Sequence, residues 1–413
     1  MRRFGVICLV STFFALMHDS AGLPARAALP GLPDEDSRAG HDSPAGEGSD
    51  LRGVVEAKLE LLTDPPDDSE SVRSVIALDE EIHHLLEKLA PKDRPQDGSS
   101  KPLLLLAEAD LPEATEYLRA VFETSSERRA DAAQALALAV RLKPVESEDW
   151  QFLVRSLAVV EGPQAVDVMT TLLRFPQRAT RGHWIRQVIL TGLQLSDTDR
   201  EVALKLLRHW SGQPRGSKNS PGWSLPEYQQ WFANEYPNEP AAELPTEVAG
   251  RKWKEASVFR MIQSQVWTPD MEATAIEAFQ KANCHQCHKR SELGNHFGPD
   301  LTTLGWRRSR KEIVRSLIFP SHELNEEYPA VVVLLADGRQ LAGLMAAAGS
   351  DRMLIIGSDL KRTEFAKSDV EEIRQQSISN MPDGGLEVLD ERQIIALVHW
   401  LGSTSGVPRP HIE

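Results

Sequence analysis

The sequence predicts a mainly α chain in two parts. The first is an N-terminal α-solenoid or helical bundle, and the second is a C-terminal helical domain carrying a small antiparallel β insertion. Three observations predict this. Amphipathic stretches of about twelve residues recur between residues 103 and 210, in pairs spaced roughly 33–36 residues apart. Two further amphipathic stretches, 270–282 and 390–401, bracket the C-terminal third. Between them, residues 328–375 break into short runs rich in Val, Ile and Leu, separated by turn signals such as Asp337-Gly338.

The 413 residues allow two or three domains, and 41% hydrophobic with 26% charged residues is ordinary for a globular chain. The formal charge of −15 makes the protein a poor phosphate binder, so nucleic acid is not an expected partner. Only Cys8, Cys284 and Cys287 occur. Three cysteines exclude a disulfide scaffold and a multi-cluster iron–sulfur protein.

Arg2 and Arg3 precede an apolar run over 4–17, which is too short to span a bilayer, and Ala25-Arg26-Ala27 fits a small-x-small cleavage site. Residues 1–27 therefore read as a Sec-type signal peptide, cut before Ala28. A periplasmic or otherwise extracytoplasmic protein follows, with no membrane span after cleavage. Cys8 lies inside the apolar run, where lipidation does not occur. Export leaves Cys284 and Cys287 in an oxidising compartment, where a disulfide or a covalent group must occupy them.

Residues 28–102 read as a disordered, partly helical linker. Residues 28–50 are rich in Gly, Pro, Ser and acids, whereas 52–62 and 71–90 have helical spacing. Over 103–210 the expected helices are 112–123, 126–141, 147–160, 163–174, 181–193 and 197–210. Asp110, Ser125, Ser147 and Ser196 are the candidate N-caps. The pattern is HEAT-like. His183 and His209 read as ordinary surface or cap residues. Residues 211–268 form a Trp- and Pro-rich connector, and the C-terminal domain spans 269–403, with its β insertion at about 328–375.

The chemistry lies in Cys284-His285-Gln286-Cys287-His288, the C-x-x-C-H attachment sequence of a c-type haem. Two thiols three positions apart on a turn can reach both vinyl groups of one porphyrin, and the adjacent imidazole then faces the iron. A thioredoxin-like pair lacks the preceding strand of a βαβ unit, and a zinc site lacks a second cysteine pair. A structural disulfide is the remaining alternative.

The flanking residues add to this. Phe297-Gly298-Pro299-Asp300-Leu301 is similar to the Gly-Pro-x-Leu segment of cytochromes c. That resemblance implies that the Pro299 carbonyl accepts a hydrogen bond from the ring N–H of His288. The helices 270–282 and 390–401 would cross beside the haem, with Phe279, Ile395, Val398 and Leu401 as the contact. Ser379-Asn380-Met381-Pro382, just before the last helix, is similar to the distal-ligand loop of class I cytochromes. It makes Met381 the expected sixth ligand, with His296 and His322 as alternatives. Met345 and Met353 read as core residues.

These pieces together resemble a haem-binding domain first described in Planctomycetes and Verrucomicrobia (the Pirellula and Verrucomicrobium type). The matching residues are Cys284, Cys287 and His288, Gly298-Pro299-Asp300-Leu301, Leu317-Ile318-Phe319-Pro320-Ser321, Tyr328, Asp337-Gly338, Gly343 and Ser379-Asn380-Met381-Pro382. They cover about a third of the chain. The resemblance implies a cytochrome c-like domain with one covalent haem c, held by Cys284 and Cys287 with His288 and Met381 as axial ligands. Members often carry helical repeats before this domain.

The function so implied is electron transfer by an exported mono-haem c-type cytochrome, a carrier rather than an enzyme. Its partner would be a redox protein such as an extracytoplasmic dehydrogenase. The alternative is a helical-repeat binding or scaffold protein whose haem is structural or senses a gas or redox state. A catalytic haem, such as a peroxidase, would require a vacant distal position and an acid–base group. A basic rim of Lys281, Lys289, Arg290, Arg307, Arg308, Arg310, Lys311 and Arg315 is the candidate docking surface for an acidic partner. Contact with the chain's own acidic repeats is the competing reading of that rim.

Overall fold

The computed structural model describes residues 45–96, 98–141, 147–214, 222–325 and 327–407. The expected signal peptide and the start of the linker lie outside the described residues. Among those described, the chain is mainly α, with fifteen α-helices and a five-stranded antiparallel sheet. No described helix is long and apolar enough to cross a membrane.

Ten helices form the N-terminal part: α1 (Ala45–Glu60), α2 (Ser69–Glu87), α3 (Lys101–Glu108), α4 (Pro112–Thr124), α5 (Arg129–Arg141), α6 (Ser147–Ser156), α7 (Gly162–Leu172), α8 (Gly182–Gln194), α9 (Arg200–Ser211) and α10 (Leu225–Glu235). Helix α5 packs against α3, α4, α6 and α7, while α9 packs against α7 and α8. Its small face (Ala132, Ala133, Ala135, Ala137, Ala139) lets these neighbours approach closely, and all five alanines are buried. Of the four expected caps, Ser196 accepts from the Asp199 N–H at 3.2 Å. Helix α4 instead starts from Leu111 with Pro112 in its first turn, where the missing N–H costs nothing.

The linker reading ends sooner than the sequence suggests. Ile82, Leu86 and Leu89 of the second helical segment pack against Val55, Leu59 and Leu62, so residues from 45 onward are folded. An Asp68 capping box with Ser71 starts α2. Inside the array, buried Asp79 accepts from Arg128 and from the Tyr117 hydroxyl, each at 2.6 Å.

The C-terminal part contains α11 (Glu255–Gln263), α12 (Glu272–Lys281), α13 (Leu304–Arg307), α14 (Arg310–Ile318) and α15 (Glu391–Leu401). Two short strands, β1 (Lys289–Arg290) and β2 (Leu293–Gly294), pair beside the Cys–His motif. The sheet comprises β3 (Ala330–Leu335), β4 (Gln340–Ala347), β5 (Arg352–Ile356), β6 (Arg362–Ala366) and β7 (Val370–Gln375), in the order β6-β5-β4-β3-β7. Met345 and Met353 pack against its apolar core. Strand β7 carries no alternating apolar signal, because nearly all of it is exposed.

The connector of 211–268 divides between the two parts. Leu225, Tyr228 and Phe232 of α10 belong to the helical core. Val258 and Ile262 of α11 are buried with α12, α14 and α15. The C-terminal core therefore begins before residue 269. A positive reason is the apolar stripe of α11, which meets α14 and α15.

The two parts meet directly. The Ser126 hydroxyl donates to the buried Gly305 carbonyl at 2.7 Å, and Arg129 donates to the carbonyls of Arg307 and Trp306 at 2.8 and 3.3 Å. Glu127 pairs with Arg310 at 3.0 Å, and Glu161 with Lys311 and Arg315.

Candidate cofactor site

Helix α12 ends at Lys281, and Asn283 then adopts a left-handed conformation with φ of 60°. Asn tolerates that region better than other residues with a Cβ. The chain reverses there into a 3₁₀ turn over Cys284–Gln286. The Cys287 and His288 amides both donate to the Cys284 carbonyl, at 3.2 and 2.9 Å. This turn places the two half-buried thiols and the imidazole on consecutive corners. Burial pushes the Cys284 thiol up to about 11. It also raises Cys287, against the opposing charge of Arg362. Both are neutral, free thiols at neutral pH.

The loop after the motif folds back onto it. The Gly298 amide donates to the Cys287 carbonyl at 2.7 Å, and the Leu301 amide to the Lys289 carbonyl at 2.8 Å. This brings the Pro299 carbonyl to 2.9 Å from His288 Nδ1. A carbonyl can only accept, so Nδ1 carries the proton and Nε2 keeps its lone pair. Burial lowers the pKa of His288, with the Pro299 bond opposing, so the ring is neutral near pH 7. Gly298 is needed for this approach: a Cβ there would stand 2.9 Å from Cε1 and 3.1 Å from Nδ1 of His288. The sequence pattern marked Gly298 as part of the Gly-Pro-x-Leu segment, and its contact with the imidazole is not visible in it.

Helices α12 and α15 cross beside the motif. Phe279 meets Trp400 edge to face, with ring centroids 5.6 Å apart. Phe279, Val398 and Leu401 are in the shared core, as is Ile394, whereas Ile395 is buried outside it. Of the four expected contact residues only Ile395 lies outside this core, and Ile394 takes its place. Lys281 donates to Gln393 at 3.0 Å, and Gln393 to Glu277 at 3.2 Å, fixing the crossing by polar ties as well. Arg290, only 5% exposed, stacks on Trp400 at 4.1 Å and donates to its carbonyl. It joins the motif to the C-terminal end of α15, where a cation is favoured.

Met381 borders the same apolar core as Cys284, together with Leu293, Leu301 and Leu304. Its loop is tied down from two sides. The Ser379 amide donates to the Ser321 hydroxyl at 3.1 Å, and the Asn380 side chain to the Ile356 carbonyl of β5 at 3.0 Å. Residues of two separate sequence motifs, Ser321 and Ser379, therefore touch. The β insertion reaches the loop through Asn380. The alternative ligands lie elsewhere: His296 is exposed, and half-buried His322 is surrounded by Glu312, Arg315, Phe319 and Glu323, with Ala158 of the helical array. His209 Nε2 donates to the Phe175 carbonyl at 3.0 Å within the array.

The expected basic rim is largely engaged inside the molecule. Arg308 pairs with Glu312 and Glu323, Arg310 with Glu127, Lys311 with Glu161, and Arg315 with Glu255. Arg307 donates to the Asp300 carbonyl, and Arg290 is buried. Arg310, Lys311 and Arg315 thus face Glu127 and Glu161 of the helical array, whereas Arg308 is paired within the C-terminal part. Arg362 of β6, which the sequence did not single out, lies over the Phe297 ring at 4.7 Å, beside the motif.

The side chains here able to form thioethers or bind a soft metal are the two thiols, the His288 Nε2 lone pair and the Met381 thioether. Among the described residues, no three His, Cys, Asp or Glu side chains converge as a bare-ion site. No family model and no curated protein matches the chain.

Proposed function

We propose that the chain is an exported mono-haem c-type cytochrome that carries electrons, with haem c bound covalently by Cys284 and Cys287 and with His288 and Met381 as axial ligands. The residues fit that group on three counts. The thiols are free and share one turn with the histidine. The imidazole proton is held on Nδ1 by Pro299, which leaves Nε2 available as a ligand. Gly298 clears the space that a side chain would take from the ring. The His288–Pro299 contact within the C-x-x-C-H turn is the observation that carries the reading.

When bound, haem supplies a one-electron couple between Fe(III) and Fe(II). The protein's part is to orient and to tune. Pro299 fixes the tautomer of His288 and raises its basicity. The Met381 thioether, a soft donor, would favour the reduced metal and raise the potential. Phe279 of α12 and Trp400 of α15 belong to the apolar core that Cys284 borders. On this reading the chain acts as a carrier for a redox protein, such as an extracytoplasmic dehydrogenase.

The C-terminal part is then a cytochrome c-like domain of the Planctomycete and Verrucomicrobial type, with a β insertion that braces the methionine loop. The N-terminal helices are read as a HEAT-like solenoid, because α5 packs on both α3 and α7, and α7 on α9. Haemochrome spectroscopy of the exported protein tests the reading. Covalent haem that is lost in Cys284→Ser/Cys287→Ser supports it, and a haem-free chain refutes it.

A further inference from the structure

The segment before α11 belongs, on sequence grounds, to a connector outside the C-terminal domain. In the structure it runs along the methionine loop. The Lys252 amide donates to the Glu387 carboxylate at 3.1 Å, and the Lys252 ammonium to the Leu389 carbonyl at 3.1 Å. The Arg251 guanidinium occupies the space beside Gly384, which has φ of +77° and is three residues beyond Met381. Any side chain at Gly384 would collide with it. Trp253, next along, packs against the core that Met381 and Cys284 also border. Lys252 lies over the Trp253 ring at 4.4 Å. A turn closed from the Arg251 amide to the Val248 carbonyl, and a Glu247–Lys254 ion pair at 3.6 Å, hold the segment in shape.

These contacts complete a set. Ser321 and Asn380 secure the loop before Met381, as described above. Arg251 and Lys252 secure it afterwards, across residues 384–389. The loop that carries the thioether is thus fixed at both ends by elements distant in sequence. An axial thioether is a weak ligand, kept in place largely by the loop that presents it. A loop free to swing would yield the position to any competing nitrogen base.

We propose that residues 247–254 form a strap whose Arg251 and Lys252 are positioning residues for Met381, setting how strongly the thioether resists replacement. The proposal rests on Met381 as an axial ligand. Its experiment uses the full haem-loaded chain and added imidazole as the competing base, followed in the oxidised protein by the weak red charge-transfer band of thioether-ligated iron. Arg251→Gln/Lys252→Met should keep the haem and bind imidazole about tenfold more tightly, equivalent to about 1.4 kcal/mol. Arg251→Lys with Lys252 intact, which keeps a long side chain beside Gly384, should keep most of the resistance. Lys252→Met alone removes the hydrogen bond to Leu389 and the contact of the ammonium with Trp253, and is the variant to use if the double one does not fold.

Ser126→Ala is the control for general loosening, since Ser126 belongs to the helical array and bonds Gly305 at its junction with the C-terminal part. It should leave imidazole affinity unchanged. An affinity within twofold of the parent in Arg251→Gln/Lys252→Met, or in Lys252→Met where that variant replaces it, overturns the strap. An equal rise in Ser126→Ala overturns it too. A parent protein that lacks the band and matches Met381→Ala in imidazole affinity would show a different failure. It removes Met381 as a ligand, and the strap's role with it.

Discussion

His288 Nδ1 is 2.9 Å from the Pro299 carbonyl oxygen, and Gly298 lies flat against the same ring without a Cβ. The two contacts define one orientation of the imidazole. Gly298→Ala would drive a methyl group to within 2.9 Å of Cε1, tighter than van der Waals contact. The ring must then leave Pro299. The expected outcome is a loss of about 1–3 kcal/mol in stability and a split population of histidine orientations. Chemical denaturation and the NMR signals of the His288 ring would report both.

The two parts of the chain should unfold together. Ser126 supplies a buried hydroxyl to the Gly305 carbonyl across their junction. Ser126→Ala leaves that carbonyl without its donor, at a cost of about 1–3 kcal/mol. The lowered midpoint should appear in fluorescence from tryptophans of both cores. A midpoint that falls for one core alone would show that the parts are energetically separate.

Within the array, Asp79 is the hub for Arg128 and Tyr117. Asp79→Ala strands the buried Arg128 charge. A loss of about 3–5 kcal/mol is expected, in contrast to less than about 1 kcal/mol for removing the exposed Arg352–Glu364 pair. Calorimetry of the two variants makes the comparison.

Acid should weaken the fold. His399, buried on α15, is pushed down to about 4 by burial, with Arg310 adding repulsion. His322 is pushed down to about 4 by burial, then by Arg186 and Arg315. Both bases are lowered on folding, so the unfolded chain binds protons first as pH falls. Stability is constant above about pH 6.5 and declines from there towards pH 4. For His399 the decline is up to about 3 kcal/mol, and solvent screening reduces it for half-exposed His322. His399→Leu should flatten that part of the stability profile. A profile unchanged by the substitution would contradict the assignment.

Arg307, Arg308 and Arg310 were the centre of the expected docking rim. Arg308 and Arg310 instead serve ion pairs, and Arg307 a backbone carbonyl. Replacing all three by Ser should lower the unfolding midpoint and leave the salt dependence of electron exchange with an acidic partner protein nearly unchanged. Stopped-flow rates at two ionic strengths separate the outcomes.

What the sequence made legible was local. Cys284, Cys287 and His288 occur within five residues, so their spacing nearly dictates a shared turn. The Gly298-Pro299 segment is close enough in sequence for its return to be anticipated. Strands β3 to β6 follow from the short apolar runs and the Asp337-Gly338 turn. Contacts made across long separations left no such pattern. Strand β7 is polar because its side chains face solvent, and only pairing with β3 makes it a strand. Helix α11 looks like part of a connector until α14 and α15 cover it. The cations of 307–315 read as a surface because sequence does not show Glu127, Glu161, Glu255 and Glu323 meeting four of them. The strap over the methionine loop depends on Lys252 meeting Leu389, which are 137 positions apart.

The optical spectrum of the purified, exported protein, recorded oxidised and then reduced, bears most directly on the central claim. The account predicts a covalent, low-spin c-type spectrum, with a weak red charge-transfer band in the oxidised state that disappears in Met381→Ala. A high-spin spectrum that responds to carbon monoxide would contradict Met381 as a ligand and favour a sensing or catalytic haem. A preparation with no covalent haem would contradict the cytochrome reading altogether and leave a helical binding protein.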